Sequence, residues 1–394
     1  MKKKILHTPE GVRDIYNEEC EKKLILQDCI NEMLRRYGYR PIQTPTFEFF
    51  DIFGREIGTT PSCDLYKFFD REGNTLVLRP DITPSIARSA AKYFGEEAIP
   101  IRLCYMGNTF INSTRYQGRL KENTQLGAEL IGDPSVDADA EMISMVVDCL
   151  RAAGLKDFLL SIGHADFFLG LMEAAGLTEE QEEEFRRLIS NKNFFGVEEL
   201  AGALHLDSDL MQLFLLLGKL YTNPEELTEL RKYAADYPRI LSAVMRFEEL
   251  YKILEVYGIS GYVSFEPGII SDYRYYTGII FSGYTFGSGE PIVRGGRYDK
   301  LLTHFGKDSA SIGFAFIVDQ LMAALSRQKI EIPLEHNTLL IVYSPIHREE
   351  AISRANEQRR EGRCVELIVR DPALGEEDYI RYAKQNRIAE IRFV

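Results

Sequence analysis

The segment Arg102–Gly132 constrains the fold more than any other, because its second half alternates polar and apolar residues. Alternation of this kind is typical of a strand with one buried face, and it puts Gln125, Gly127 and Glu129 on the same side. A glutamine and a glutamate that face the same way can line a polar pocket. The pattern therefore predicts a strand over residues 125–131 with one ligand-facing side.

A second ligand-facing position is predicted where a strand meets a helix, in residues 78–84 (LRPDITP). Thr83 suits the N-cap of a helix running to about Tyr93, and Pro84 suits its first turn. The carboxylate of Asp81 then projects from the strand-to-helix junction, where ligand-binding groups are often found.

Six polar side chains could share one pocket: Asp81, Thr83, Gln125, Glu129, Tyr275 and Tyr276. Two carboxylates suit an ammonium group and an imidazole N–H, while amide and phenol groups fix the orientation of a ligand. The residues alone leave an alternative open, in which these are surface polar groups on unrelated strands.

Composition excludes several protein classes. The 394 residues predict two or three domains, and 45% hydrophobic with 27% charged residues is typical of a globular protein. No apolar run reaches the length of a membrane span, so we expect a cytoplasmic protein without membrane contact. A net charge of −13 gives no overall attraction to nucleic acid.

The six cysteines form no CxxC pair and the six histidines are scattered. We therefore expect buried, reduced thiols and no metal site. The glycine-rich segments 287–289 and 295–296 match no phosphate-binding motif, and no GxSxG or HExxH motif occurs. The residues predict no catalytic group and no cofactor.

The order of strand and helix patterns predicts an α+β fold. Residues 1–328 form one mixed antiparallel domain flanked by helices, with a helical insertion at about 165–258. A linker at 329–337 leads to a small α/β domain at 338–394.

Several motifs occur in the order found in histidyl-tRNA synthetases, which the chain resembles over residues about 8–165 and 258–328. They are TPEGVRD, GYRPIQTPTFE, LRPDITP, GRLKENTQLGAELIG, YYTG, GGRYD and SIGFAF. The resemblance implies a class II synthetase sheet, dimerisation around Gly38–Pro45, and a shortened anticodon-binding domain at the C-terminus.

The chain departs from that family where the family binds ATP. The resemblance puts signature arginines at Ile111, Ser271 and Gln320, and an aspartate at Arg274. The motif-2 loop continues as residues 112–114 (NST) instead of carrying Glu and Arg. Adenylate formation is strongly anionic and depends on fixed cations. These losses argue against synthetase activity.

The histidine-binding positions that the resemblance implies are retained. Thr83, Gln125, Glu129, Tyr275 and Tyr276 match the family, and Asp81 replaces its glutamate at the α-ammonium group. Tyr298 of GGRYD is also kept.

This combination resembles the regulatory subunits of ATP phosphoribosyltransferase. The resemblance implies a hetero-octamer with a short-form catalytic subunit that carries out the first step of histidine biosynthesis. L-histidine would act as feedback effector, and tRNA would not be a partner. The alternatives are a divergent active histidyl-tRNA synthetase, or a stand-alone amino-acid sensor or tRNA-binding relic.

Overall fold

An eight-stranded sheet forms the centre of the first of two units, Met1–Glu331 and Ile332–Val394, in the computed structural model. The structure describes residues 6–54, 60–95, 99–112, 120–270, 275–334 and 337–394. In chain order the strands of the first unit are β1 (Arg40–Pro41), β2 (Phe47–Phe49), β3 (Lys67–Phe69), β4 (Thr75–Leu78), β5 (Ile101–Phe110), β6 (Glu122–Ile131), β7 (Phe158–His164), β8 (Val263–Phe265), β9 (Ile279–Thr285), β10 (Val293–Arg297) and β11 (Ser311–Ile317).

The large sheet has the order β1-β5-β6-β11-β10-β9-β7-β8. Its six central strands are antiparallel to their neighbours, and β1 and β8 add parallel edges. Strands β2, β4 and β3 form a separate small antiparallel sheet, in which β3 and β4 are the two arms of a hairpin. The predicted antiparallel α+β architecture is confirmed.

Helices cover the large sheet. In chain order they are α1 (Asn17–Arg36), α2 (Thr83–Tyr93), α3 (Val136–Ala152), α4 (Ala165–Ala174), α5 (Glu179–Ser190), α6 (Phe194–Gly202), α7 (Ser208–Leu215), α8 (Pro224–Ala234), α9 (Pro238–Val256) and α10 (Val318–Arg327). The apolar stripe of α1 buries Leu26, Ile30 and Leu34, four residues apart, and α1 packs against α3.

The helical segment α4–α9 connects β7 to β8, which are parallel neighbours in the sheet. A parallel pair needs a crossover connection, and here these helices supply it. Within the predicted insertion, the periodic sequence patterns cover residues 167–175, 179–189, 197–204, 209–221 and 239–256 and miss α8, although Asn223 caps it and Pro224 begins it. Its inward face is narrow and consists of Leu227, Leu230 and Ala234, and this weakened the periodic signal.

The predicted N-cap role of Thr83 is wrong. Ile82 occupies the N-cap and Thr83 is the first residue of α2. The hydroxyl of Thr83 donates instead to Glu129 Oε1 at 2.8 Å, so a tertiary contact replaces the local cap.

The second unit is a parallel sheet of order β13-β12-β14, flanked by two helices. Its elements are β12 (Thr338–Tyr343), α11 (Arg348–Arg360), β13 (Cys364–Val369), α12 (Glu376–Gln385) and β14 (Glu390–Phe393). Leu339 and Ile341 pack with residues of α11, and Leu340 and Val342 pack with residues of α12. The alternation along β12 therefore serves two apolar layers.

The expectation of buried thiols holds for only part of the set. All six cysteines are free, but only Cys104 and Cys149 are buried, while Cys63 and Cys364 are exposed. No helix of the described residues is both long and apolar enough to cross a bilayer.

Candidate ligand-binding site

A cavity of about 570 Å³ opens above the centre of the large sheet. All six residues predicted to bind a ligand line it: Asp81, Thr83, Gln125, Glu129, Tyr275 and Tyr276. Tyr298 lines it as well. The sheet therefore brings together residues that are almost 200 positions apart in the chain, and their role as ligand contacts stays a prediction.

Glycines on β11 and β10 make space for the side chains at one end of the cavity. Gly313 pairs with Glu129 across β6 and β11, and a Cβ on Gly313 would lie 1.5 Å from Glu129 Oε2. A Cβ on Gly296 would lie 2.7 Å from the ring of Tyr276. The Glu129 carboxylate and the Tyr276 ring thus occupy volume that any larger residue would need.

Glu129 lies at the floor of this end and is 1% exposed. Its Oε1 accepts the Thr83 hydroxyl at 2.8 Å, and its Oε2 accepts the Tyr298 hydroxyl at 2.5 Å. Burial raises the pKa of Glu129 to about 8, although the hydrogen bonds from Tyr298 and Thr83 oppose the rise. At neutral pH this carboxyl is therefore mainly protonated in the empty pocket.

Asp81 supplies a second buried carboxyl. Its Oδ1 accepts the backbone N–H of Ile82 at 2.7 Å. Burial raises its pKa to about 6, while backbone N–H groups of Ile82 and Thr83 and a hydrogen bond from Tyr275 hold it down. Asp81 is thus mainly charged at neutral pH, and the two carboxyls differ in protonation.

Aromatic rings form one wall of the same end. The ring centroids of Tyr275 and Tyr276 are 4.8 Å apart, and those of Tyr275 and Tyr298 are 5.9 Å apart with nearly perpendicular planes. The hydroxyl of Tyr298 is committed to Glu129. This wall offers flat apolar surface beside two carboxyls, which suits a small planar cationic or N–H-bearing group.

Gln125 Oε1 is buried and has no hydrogen-bond partner among the described residues. Gln125 lies on β6 four residues before Glu129, on the same side of the strand. A buried acceptor without a donor is costly, so its position in the cavity wall favours a donor on a bound ligand. We refer to Asp81, Thr83, Gln125, Glu129 and the three tyrosines as the carboxylate end.

The far end of the cavity is defined by Ile111, Leu120 and Gln320. Ile111 and Gln320 stand at two of the positions where the sequence resemblance places arginines. The third, Ser271, lies outside the described residues, as do Arg274 and residues 113–114. Among the described residues, one cation, Lys121, lines the far end, and Asp64 lies there too.

Three residues that line or support the cavity were not predicted from the sequence. Tyr105 is buried on β5 beside Gly127, and its hydroxyl lies 3.5 Å from the Phe314 carbonyl oxygen. Arg79 is buried and donates to the carbonyl oxygens of Thr44 at 2.9 Å and Asn108 at 2.8 Å. Strand alternation in the sequence could have placed Tyr105 on the pocket side, whereas no local sequence pattern indicated the contacts of Arg79.

Arg294 is the third residue that was missed. It lies on β10, lines the cavity, and forms an ion pair with Glu290 at 3.7 Å. The neighbouring Arg297 faces away and pairs with the buried Asp139 at 2.6 Å, which anchors the strand on α3.

Among the described residues, no group of three or more histidine, cysteine, aspartate or glutamate side chains is arranged to hold a metal ion. The described lining supplies hydrogen-bonding groups, two buried carboxyls and aromatic rings.

The fold and the cavity define the class of the protein. The histidyl-tRNA synthetase family pattern matches residues 11–321. A solved histidyl-tRNA synthetase from Nostoc sp. PCC 7120 shares the fold, with a TM-score of 0.80 over 97% of this chain and 90% of that one, at 18% identity.

Closer relatives narrow the assignment. The protein named ATP phosphoribosyltransferase regulatory subunit from Acetivibrio thermocellus is 40% identical over 92% of this chain and 87% of its own. That from Ruminiclostridium cellulolyticum is 37% identical over 99% and 92%. A crystal structure titled ATP phosphoribosyltransferase regulatory subunit/histidyl-tRNA synthetase, from Bacillus halodurans C, matches with a TM-score of 0.86 and 32% identity, over 99% and 98%. The chain belongs to the family of ATP phosphoribosyltransferase regulatory subunits, within the histidyl-tRNA synthetase fold.

Proposed function

We propose that this regulatory subunit binds L-histidine at the carboxylate end of the cavity and does not itself catalyse amino-acid activation. In this role it is required by a short-form ATP phosphoribosyltransferase catalytic subunit and mediates feedback inhibition by histidine. The observation that carries the proposal is the unequal composition of a single cavity. One end is built from buried, hydrogen-bonded groups suited to histidine, and the other has neutral side chains where ATP phosphates would need arginines.

The fit to histidine follows from the protonation states. Asp81, charged at neutral pH, suits the α-ammonium group, with the acceptor Oε1 of Gln125 nearby on the same wall. Glu129 can share one proton with the imidazole, which lies against the tyrosine rings. A purely aliphatic amino acid could not share the proton of Glu129, so it would lose this hydrogen bond in a buried site.

Absence of activation is supported at the far end. A triphosphate would meet Ile111 and Gln320 at positions where fixed cations are worth on the order of 10³-fold in rate each. Among the described residues, Lys121 is the cation at this end, and its Nζ donates to Asn112 Oδ1 at 3.4 Å. It cannot serve separate positions at once.

Calorimetry with L-histidine on the purified protein tests the binding role. We expect Glu129→Gln to weaken binding by about 30-fold or more and Tyr276→Phe by several-fold. Glu349→Gln, at an exposed position of α11, is the matched control and should bind as the wild type does. Absence of histidine binding to the wild type, alone and in complex, would refute the proposal.

The regulatory role needs the assembled complex with a short-form catalytic subunit, expected as four plus four chains. Phosphoribosyl transfer to ATP should require this chain and be inhibited by histidine. With Glu129→Gln the complex should stay active and lose the inhibition. Coupling between two binding sites is reciprocal. Any substrate that weakens the binding of histidine must therefore itself bind more weakly when histidine is bound.

The alternative of an active histidyl-tRNA synthetase makes a different prediction. Histidine-dependent exchange between ATP and pyrophosphate would then occur with this chain alone. We expect no exchange above background, and a clear signal would overturn the assignment of a non-catalytic role.

A further inference from the structure

A histidine held by the carboxylate end still has an α-carboxylate that requires a cation. Among the described residues that line the cavity, the cations are Lys121 and Arg294. They lie in different parts of the cavity, and the strand register decides which one is within reach.

The register places Arg294 beside the carboxylate end. Glu129 pairs with Gly313, which pairs with Gly296, whereas Gly127 pairs with Ala315, which pairs with Arg294. Arg294 is therefore two strands across and one row along from Glu129, roughly 12 Å between Cα atoms at normal strand spacings. A long side chain extending towards Glu129 covers much of that distance.

The sheet surface between Arg294 and Glu129 carries small residues. In the row of Arg294, Ala315 of β11 and Gly127 of β6 carry at most a methyl group, so neither strand places a bulky side chain in that row. Any Cβ on Gly127 would come within 2.1 Å of the Phe314 carbonyl oxygen, so this position stays small. Arg294 therefore lines the cavity at the end of a row of small residues.

Lys121 lies at the opposite end. It precedes Glu129 by eight residues, roughly 27 Å along an extended strand. The N–H of Ile111 donates to the Lys121 carbonyl oxygen at 2.9 Å, and the stem of Lys121 packs on Gly11. An amino acid that contacts Glu129 is too short to reach it.

We propose that Arg294 binds the α-carboxylate of the effector, so that this residue makes the site selective for amino acids over amines and alcohols of the same shape. The inference rests on the proposed function. Arg294 pairs with Glu290 at 3.7 Å, and both side chains are about one-third exposed. A ligand carboxylate would offer the planar guanidinium a bidentate partner in a drier position than Glu290.

Glu290 then acts as an internal competitor. It lies four residues before Arg294, lines the same cavity, and occupies the guanidinium in the empty state. Removal of the Glu290 charge should therefore strengthen binding of the amino acid. It should not affect the binding of an analogue without a carboxylate.

Calorimetric titration with L-histidine and with L-histidinol, in which CH2OH replaces the carboxylate, tests the assignment. We expect the wild type to prefer histidine by about 10- to 100-fold, the range for a charged hydrogen-bonded pair. Arg294→Gln should bind both ligands with the affinity of the wild type for histidinol. Glu290→Gln should increase the affinity for histidine alone, by a few-fold.

Lys121→Gln is the matched control and should keep the wild-type preference. Unchanged histidinol binding by Arg294→Gln shows that the pocket is intact. The assignment would be overturned if Arg294→Gln still preferred histidine over histidinol, or if Lys121→Gln lost that preference. Loss of histidinol binding in Arg294→Gln would overturn it as well. A wild type that binds neither ligand would instead refute the proposed function, and the inference with it.

Discussion

The two ends of the cavity differ in how tightly their side chains are connected to the fold. At the carboxylate end, Glu129 is fixed by Thr83 and Tyr298, and glycine leaves room for its carboxyl group. At the far end, Ile111 and Gln320 contribute neutral surface. The residues of the two ends come largely from different segments of the chain, so one end can change while the other is kept.

For the proposed function, the contacts that support Glu129 are a stronger argument than any single side chain in the cavity. A ligand contact alone could survive by chance, whereas the Glu129 network needs two strands, one helix and a glycine together. Variants that attack this support should affect histidine binding strongly, and variants at the far end should not.

The largest effect is expected from Gly313→Ala. The new methyl group would need the space of Glu129 Oε2, which lies 1.5 Å from the ideal Cβ position, and cannot be accommodated without moving the carboxylate. We expect loss of histidine binding by more than about 100-fold and destabilisation of about 1–3 kcal/mol, as for overpacking. Calorimetry and thermal unfolding measure the two effects.

Gly261→Ala is the matched control, since a Cβ there meets nothing within 4 Å. It should bind histidine as the wild type does. Normal histidine binding by Gly313→Ala would show that the Glu129 carboxylate is not held as described.

A plateau is expected in the pH dependence of histidine affinity. In the free partners Glu129 holds a proton below a pKa of about 8, and the imidazole holds one below roughly 6.5. The bound pair shares a single proton, so binding neither releases nor takes up protons between these values. Affinity should fall about tenfold per pH unit above 8 and below 6.5, and more steeply below about 6, where Asp81 is protonated.

Titration calorimetry across pH 5–9.5 measures this profile, and Glu129→Gln should show a shallower decline above pH 8, because only the α-ammonium group of histidine then loses a proton. A monotonic rise from pH 6.5 to 9.5 in the wild type would contradict the shared proton.

Without ligand, the free energy of unfolding should change with pH in the direction opposite to that expected for a carboxylate in an ordinary ion pair. The pKa of Glu129 is raised from 4.5 to about 8, so the folded chain binds more protons than the unfolded chain in that interval. The free energy of unfolding then decreases as the pH rises from about 4.5 to 8 through this group. Denaturant unfolding of wild type and Glu129→Gln at several pH values isolates the contribution, which the variant should lack.

A smaller effect is expected from Tyr298→Phe. The change removes the hydroxyl that donates to Glu129 Oε2 and should weaken histidine binding about tenfold. That hydrogen bond lowers the pKa of Glu129, so its loss should shift the alkaline decline to higher pH. Tyr382→Phe, which removes a similar bond to Glu366 in the second unit, is the control and should leave both unchanged.

The smallest effects on histidine binding are expected at two glutamines of the same cavity, which should differ from each other. Gln125→Ala should weaken histidine binding about 5-fold, because its buried Oε1 awaits a donor from the ligand. Gln320→Ala, at the far end, should change it less than about 2-fold. Equal losses in both variants would mean that the ligand spans the whole cavity.

Much of the architecture was predictable from local patterns. Alternation located β6 with Gln125 and Glu129 on one face, and periodicity located most helices of the first unit. Helix α8 was missed because only three of its residues face inward. Thr83 was misassigned as a cap because its hydroxyl prefers a buried carboxylate that no local pattern reveals.

The sequence by itself determined the elements, the class of fold and the six candidate contacts, because each depends on short-range periodicity or on motifs that survive as strings. Only the tertiary structure decided how they are used. The proton held by Glu129 depends on burial from every side, and the place of Arg294 depends on the register of three strands. Such properties arise from distances between distant segments, which no local pattern encodes.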